Sequence, residues 1–122
     1  MKSAQTILVI DDDRSVLRLF EMILRRGGYS VLTAESAKRA VEILQSQSVN
    51  LAVLDICMPE MDGFEFMALV RAQAPGLRVL AVSGYMDGAL LDAAKHLGAT
   101  ASLYKSEAPK QLLSVVNDLL KY

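Results

Sequence analysis

Polar and apolar residues follow two textures that alternate along the chain. Short, nearly unbroken apolar runs occur at "TILVI" (6–10), "SVLTA" (30–34), "LAVLD" (51–55), "RVLAVSG" (78–84) and "ASLY" (101–104). Continuous runs of this length, rather than strict alternation, are the pattern of strands buried on both faces. Between them the apolar residues recur at helical spacing. In "RSVLRLFEMILRRGG" (14–28), Val16, Leu17, Phe20, Ile23 and Leu24 share one face, and Gly27-Gly28 is a stop. "SAKRAVEILQSQ" (36–47) carries Ala37, Ala40, Val41 and Leu44 on one stripe behind Ser36, an N-cap residue. "FEFMALVRAQ" (64–73) is a helix that ends before Pro75-Gly76. "GALLDAAKHLG" (88–98) and "PKQLLSVVNDLL" (109–120) complete the set, the last with Pro109 near its first turn. Five strands alternating with five helices predict a mostly parallel sheet covered on both faces. In such sheets ligands bind beyond the carboxyl ends of the strands, where the strand order reverses.

Composition narrows the field. The 122 residues fit one domain, and 52% hydrophobic content supports a core rather than a disordered chain. Thirteen Lys and Arg against fourteen Asp and Glu leave a net charge of −1. That balance gives no basic face for direct nucleic-acid binding. The single cysteine, Cys57, forms no intramolecular disulfide, which makes a reducing cytoplasm the expected compartment. "MKSAQTILVIDDD" meets charge too early for a signal peptide, and no later run is long enough for a membrane span.

The chemistry-bearing residues stand just past the strands. Asp11, Asp12 and Asp13 follow the first, Asp55 the third, Ser83-Gly84 the fourth and Lys105 the fifth, with Glu35 on the flank after the second. Crowded carboxylates repel unless they are protonated or share a cation. An oxygen-only site with few protein ligands suits Mg²⁺, which keeps waters and takes phosphate oxygens readily. A lysine and a hydroxyl facing that cation complete a cradle for a phosphoryl group, and one carboxylate can serve as nucleophile. Each feature also has a plain structural reading. An Asp triplet caps a helix, Ser-Gly makes a turn, and a lone lysine is solvated. Their joint occurrence in this order carries the functional reading.

These residues resemble the receiver domain of two-component response regulators, over nearly the whole chain from "ILVIDDD" to the last helix. The most specific piece is "LDICMPEMDG", which matches Asp, two residues, Met-Pro, two residues, Asp-Gly; "AVSG" adds to it. The resemblance implies a single domain over 1–122 with a flavodoxin-like three-layer (βα)5 fold, its parallel sheet in the order 2-1-3-4-5. It implies that Asp55 is the phosphoacceptor, and that Asp11, Asp12 and Asp55 bind Mg²⁺ (or Mn²⁺), Asp12 directly and Asp11 through water. Cys57 would lend its backbone carbonyl to the metal, its thiol having no part. Ser83 would turn toward the phosphoryl group and Lys105 would pair with a phosphoryl oxygen. Asp13 is read as a helix-start charge and Asp62-Gly63 as a structural turn. The implied partners are a histidine kinase or histidine phosphotransfer protein, and an output domain or target on the face of the fourth helix, fifth strand and fifth helix. The domain would turn over no external substrate. A chain ending at Tyr122 fits either a stand-alone receiver or a piece of a longer protein.

Two departures accompany the likeness. The family usually has Lys-Pro with a cis peptide after the fifth strand, whereas this chain has Lys105-Ser106. A cis bond before Ser costs about 2.5–4 kcal/mol, so either that cost is borne or the loop is rebuilt. The family's switch aromatic usually precedes the lysine by three residues; here that position is Ser102, and the nearby Tyr104 is expected to pack or be solvated. Tyr85 and Cys57 are placed to sit over the site, and His96, the only histidine, is expected on a helix surface. The main alternative is a phosphatase similar to the haloacid dehalogenase group, with Asp11 as nucleophile in an Asp-x-Asp pattern with Asp13. That reading leaves "DICMPEMDG" without a role. A third is a phosphorylation-independent interaction module that keeps the fold.

Overall fold

A computed structural model describes residues 5–57, 63–84, 88–96 and 98–121. The strands are β1 (Thr6–Ile10), β2 (Ser30–Ala34), β3 (Leu51–Asp55), β4 (Arg78–Ser83) and β5 (Ala101–Tyr104). They form one parallel sheet in the order β2-β1-β3-β4-β5, so the fold is the expected flavodoxin-like (βα)5 sandwich. The helices are α1 (Arg14–Arg26), α2 (Ala37–Ser46), α3 (Gly63–Gln73), α4 (Gly88–His96) and α5 (Ala108–Leu120). No helix among the described residues is long and apolar enough to cross a membrane.

The continuous apolar runs become strands because the sheet is buried on both sides. Alternate residues point to opposite layers. Ile7, Val9, Val53, Leu80 and Val82 pack with Leu17, Phe20 and Leu24 of α1 and Leu112, Val116 and Leu120 of α5. Leu8, Ile10, Ala52, Leu54, Val79 and Ala81 face the other way, toward Ala40 and Ile43 of α2, Phe66, Met67 and Val70 of α3, and Ala94 of α4. Each fully buried aliphatic side chain contributes roughly 1.5–3 kcal/mol, which makes these two layers the main source of stability.

Local chemistry sets the element ends. The Asp13 carboxylate accepts from the Ser15 N–H and caps α1, which stops at Arg26 with Gly27 as C-cap. Ser36 caps α2 by accepting from the Arg39 N–H at 3.2 Å. Some limits differ by one or two residues from the pattern-based ones: α3 begins at Gly63, β4 stops at Ser83, and α4 ends at His96. The end of β5 differs more. A single 3-10 turn, Lys105–Glu107, runs directly into α5, which starts at Ala108 with Pro109 in its first turn.

The chain enters the sheet at β1, adds β2 on one side and then crosses to β3 on the other. The β1/β3 boundary is therefore the point where the order reverses. Ile10 pairs with Leu54, so the next residues on the two strands, Asp11 and Asp55, emerge side by side.

Candidate functional site

Three polar side chains are buried among the described residues: Asp11, Asp55 and Ser83, at 1%, 4% and 0% exposure. All three stand at the carboxyl edge of the sheet, Asp11 just past β1 and Asp55 and Ser83 as the last residues of β3 and β4. A buried carboxylate is costly without a partner. Lys105, the first residue past β5, supplies one. Its Nζ lies 2.8 Å from Asp11 Oδ2 and 3.0 Å from Asp55 Oδ2.

Backbone amides fix the other oxygen of each acid. Asp11 Oδ1 accepts from the Asp13 N–H and Asp55 Oδ1 from the Cys57 N–H, both at 2.9 Å. The two carboxylates are thus aimed by the chain itself toward one ammonium. Asp55 Oδ2 accepts a hydrogen bond from the Lys105 ammonium. Asp11 Oδ2 meets the ammonium as an ion pair outside hydrogen-bond alignment, so this buried oxygen still has no aligned donor.

Asp12 is exposed and completes the group. One carboxylate oxygen from each of Asp11, Asp12 and Asp55 lies within 4.8 Å of the others. With all three acids ionised, three negative charges face the single Lys105 ammonium, which leaves the cluster two charges short of neutrality. The surroundings respond to that imbalance. Burial raises the Asp11 carboxyl above the usual carboxylate range, and the Asp55 charge adds to the rise; Lys105 and the Asp13 N–H oppose it. Burial works against the Lys105 ammonium, but the Asp11 and Asp55 carboxylates outweigh it and hold the amine above its ordinary value.

The remaining sequence-derived residues sort clearly. Ser83 Oγ lies 3.5 Å from the half-buried Cys57 Sγ, so the thiol has a contact within the site apart from the metal role expected of the backbone carbonyl. The signal was present in the register: Asp55 pairs with Val82, and the Ile56 N–H extends the ladder to the Val82 carbonyl, which brings residue 57 beside residue 83. Asp13 is occupied at the helix start, where the Ser15 hydroxyl and amide hold its carboxyl below the usual range. Glu35 sits on the flank in an exposed ion pair with Arg14 at 2.8 Å. Tyr104 packs, half-buried, against the core layer that contains Ala81 and Ala94. His96 is exposed at the end of α4. No cis peptide occurs among the described residues, so Lys105 reaches the acids from a loop rebuilt as a 3-10 turn. Met58, Pro59, Asp62 and Tyr85 lie outside the described residues.

The family model for the response regulator receiver domain matches residues 7–117. The chain belongs to that family. This receiver domain is 39% identical over 106 residues to the alginate biosynthesis transcriptional regulatory protein AlgB of Pseudomonas aeruginosa, covering 87% of this chain and 24% of that protein. It is 32% identical over 117 residues to the transcriptional regulatory protein GlrR of Escherichia coli, covering 94% of this chain and 26% of that protein. The chain therefore spans about a quarter of the length of these curated relatives. Among solved structures it is similar to a CheY-like response regulator receiver domain protein from Methanospirillum hungatei. That match has a TM-score of 0.90 and 30% identity, over 98% of this chain and 95% of that one. It is also similar to the response regulator TrrA of Thermotoga maritima, solved in complex with Mg²⁺-BeF, with a TM-score of 0.84 and 28% identity over 95% and 99% of the two chains.

Proposed function

We propose that this receiver domain takes a phosphoryl group onto Asp55 from the phosphohistidine of a histidine kinase or histidine phosphotransfer protein in the cytoplasm. The observation that carries the reading is the Lys105 ammonium set between the buried Asp11 and Asp55 carboxylates, with Asp12 beside them. In the transfer, an Asp55 carboxylate oxygen forms a bond to phosphorus while the donor's N–P bond breaks. The bonding pair stays on the imidazole nitrogen. Lys105, already 3.0 Å from Asp55, meets the incoming negative charge. Ser83 donates its hydroxyl to a phosphoryl oxygen, and the added charge biases a two-state equilibrium of the loops after β4 and β5. The output face is that of α4, β5 and α5, which would engage an output domain or target protein. The whole chain acts as one receiver that modifies only itself.

The residues fit Mg²⁺ or Mn²⁺. The donors are carboxylate oxygens, the buried Asp11 Oδ2 lacks an aligned hydrogen-bond donor, and the uncompensated charge is that of a divalent ion. Asp11, Asp12, Asp55 and the Cys57 backbone carbonyl would hold it. Bound there, it neutralises charge on the transferring phosphoryl oxygens.

The phosphatase reading fares worse. It needs Asp13 as the second acid of an Asp-x-Asp pair, yet Asp13 is committed to the Ser15 amide and hydroxyl. The reading as a phosphorylation-independent module has to explain why the acids, hydroxyl and lysine are all brought to one edge. Incubation with acetyl phosphate and Mg²⁺, followed by intact-mass measurement, tests the assignment. The parent gains one phosphoryl group and Asp55→Asn gains none. Equal labelling of the two would remove Asp55 from its role.

A further inference from the structure

Cys57 touches the site twice. Its backbone N–H holds Asp55 Oδ1 at 2.9 Å, and its thiol lies 3.5 Å from the Ser83 hydroxyl. The Ser83 side chain is fully buried, where a hydroxyl needs polar partners, and the thiol is one of them. We propose that Cys57 is a positioning residue whose thiol retains the Ser83 hydroxyl in its resting place and thereby sets how readily the domain switches. This rests on the reading that Asp55 accepts the phosphoryl group and that Ser83 turns toward it.

A hydroxyl has one proton to donate. When Ser83 turns to give it to a phosphoryl oxygen, its 3.5 Å contact with the Cys57 thiol, in which either group can be the donor, is traded for the new one. A thiol is a weak, polarizable donor and acceptor, so the contact holds the hydroxyl without locking it. A contact present only in the resting state biases the equilibrium toward that state, and removing it shifts the population the other way by the same factor.

The test is a double-mutant cycle. Calorimetry measures the binding of beryllofluoride, a stand-in for the phosphoryl group, in saturating Mg²⁺ to the parent, Cys57→Ala, Ser83→Ala and the double variant. Cys57→Ala is expected to bind about fivefold more tightly than the parent, the equivalent of one modest hydrogen bond. Cys57→Val, which fills the volume without the polar sulfur, behaves the same way. Cys57→Ser, which keeps a polar group beside Ser83, binds no more tightly than the parent. In the Ser83→Ala background the Cys57→Ala change gains nothing. A second readout is taken on the resting variant, without metal or beryllofluoride: the Ser83 and Gly84 amide resonances of Cys57→Ala move toward the positions they hold in the beryllofluoride-saturated parent. Cys57→Ala and Cys57→Val binding no more tightly, or gaining equally without the Ser83 hydroxyl, overturns the proposal. A parent that does not bind beryllofluoride through Asp55 overturns both this proposal and the function on which it rests.

Discussion

Replacing Lys105 by Met keeps the length of the side chain and removes its charge. Asp11 and Asp55, at 1% and 4% exposure, are then left facing each other without a counter-ion. Carboxylate oxygens no more than 4.8 Å apart repel by at least about 3 kcal/mol at an effective dielectric of about 20. Proton uptake by Asp11 limits that cost, because its carboxyl is already raised by burial. The net loss expected near neutral pH is roughly 2–3 kcal/mol, or about 10 °C in Tm for a domain of this size. The sign of the pH dependence follows from Asp11. An acid whose folded pKa lies above its unfolded value favours the folded state while protonated, and that support is lost as pH rises through the folded pKa. The deficit of Lys105→Met therefore shrinks as pH falls below neutral, and millimolar Mg²⁺ shrinks it at neutral pH by replacing the missing positive charge. Thermal unfolding followed by circular dichroism, with parent and variant side by side, reads both effects. A deficit that is the same at every pH and indifferent to Mg²⁺ would refute the electrostatic account and leave Lys105 a packing residue.

Four further substitutions, one of them a control, probe the scaffold, each read by thermal or urea unfolding. Gly98 has φ +108°, and a Cβ there would come within 3.0 Å of Arg71 Cδ, so Gly98→Ala is expected to cost about 1–2 kcal/mol. Gly76→Ala, which would meet nothing within 4 Å, is the control and is expected to be near neutral. Leu112→Ala empties a fully buried position between α5 and the sheet and is expected to cost about 2–5 kcal/mol. Ser36→Ala removes the cap of α2 and is expected to cost about 1 kcal/mol, with no change in metal affinity.

The strands were the most legible part of the sequence. Residues 6–10, 30–34, 51–55 and 101–104 take the limits their apolar runs imply, most clearly in the central strands β1 and β3, where the apolar run is buried almost throughout. Site residues were legible for a related reason. A charge that ends an apolar run is displayed at the edge where the topology places ligands, as Asp11 and Asp55 are. What sequence alone left open depends on geometry between elements. Whether Lys105 could reach the acids without a following proline turned on how the chain leaves β5, and the 3-10 turn that solves it has no apolar signature of its own. Cys57 was placed over the site, but its contact with Ser83, 26 residues away, was not legible, because only the β3–β4 register brings the two together. Asp13 reads the same either way, since a helix-start aspartate is a local feature.

The central claim is that Asp11, Asp12 and Asp55 converge on a single divalent cation. Titration with Mn²⁺, followed by paramagnetic broadening of backbone amide resonances, addresses it directly. The account predicts that residues 11–13 and 55–57 broaden first and together, and that Asp12→Asn and Asp55→Asn each abolish this at low Mn²⁺. Broadening scattered over the other surface acids, or unchanged in those two variants, would contradict it.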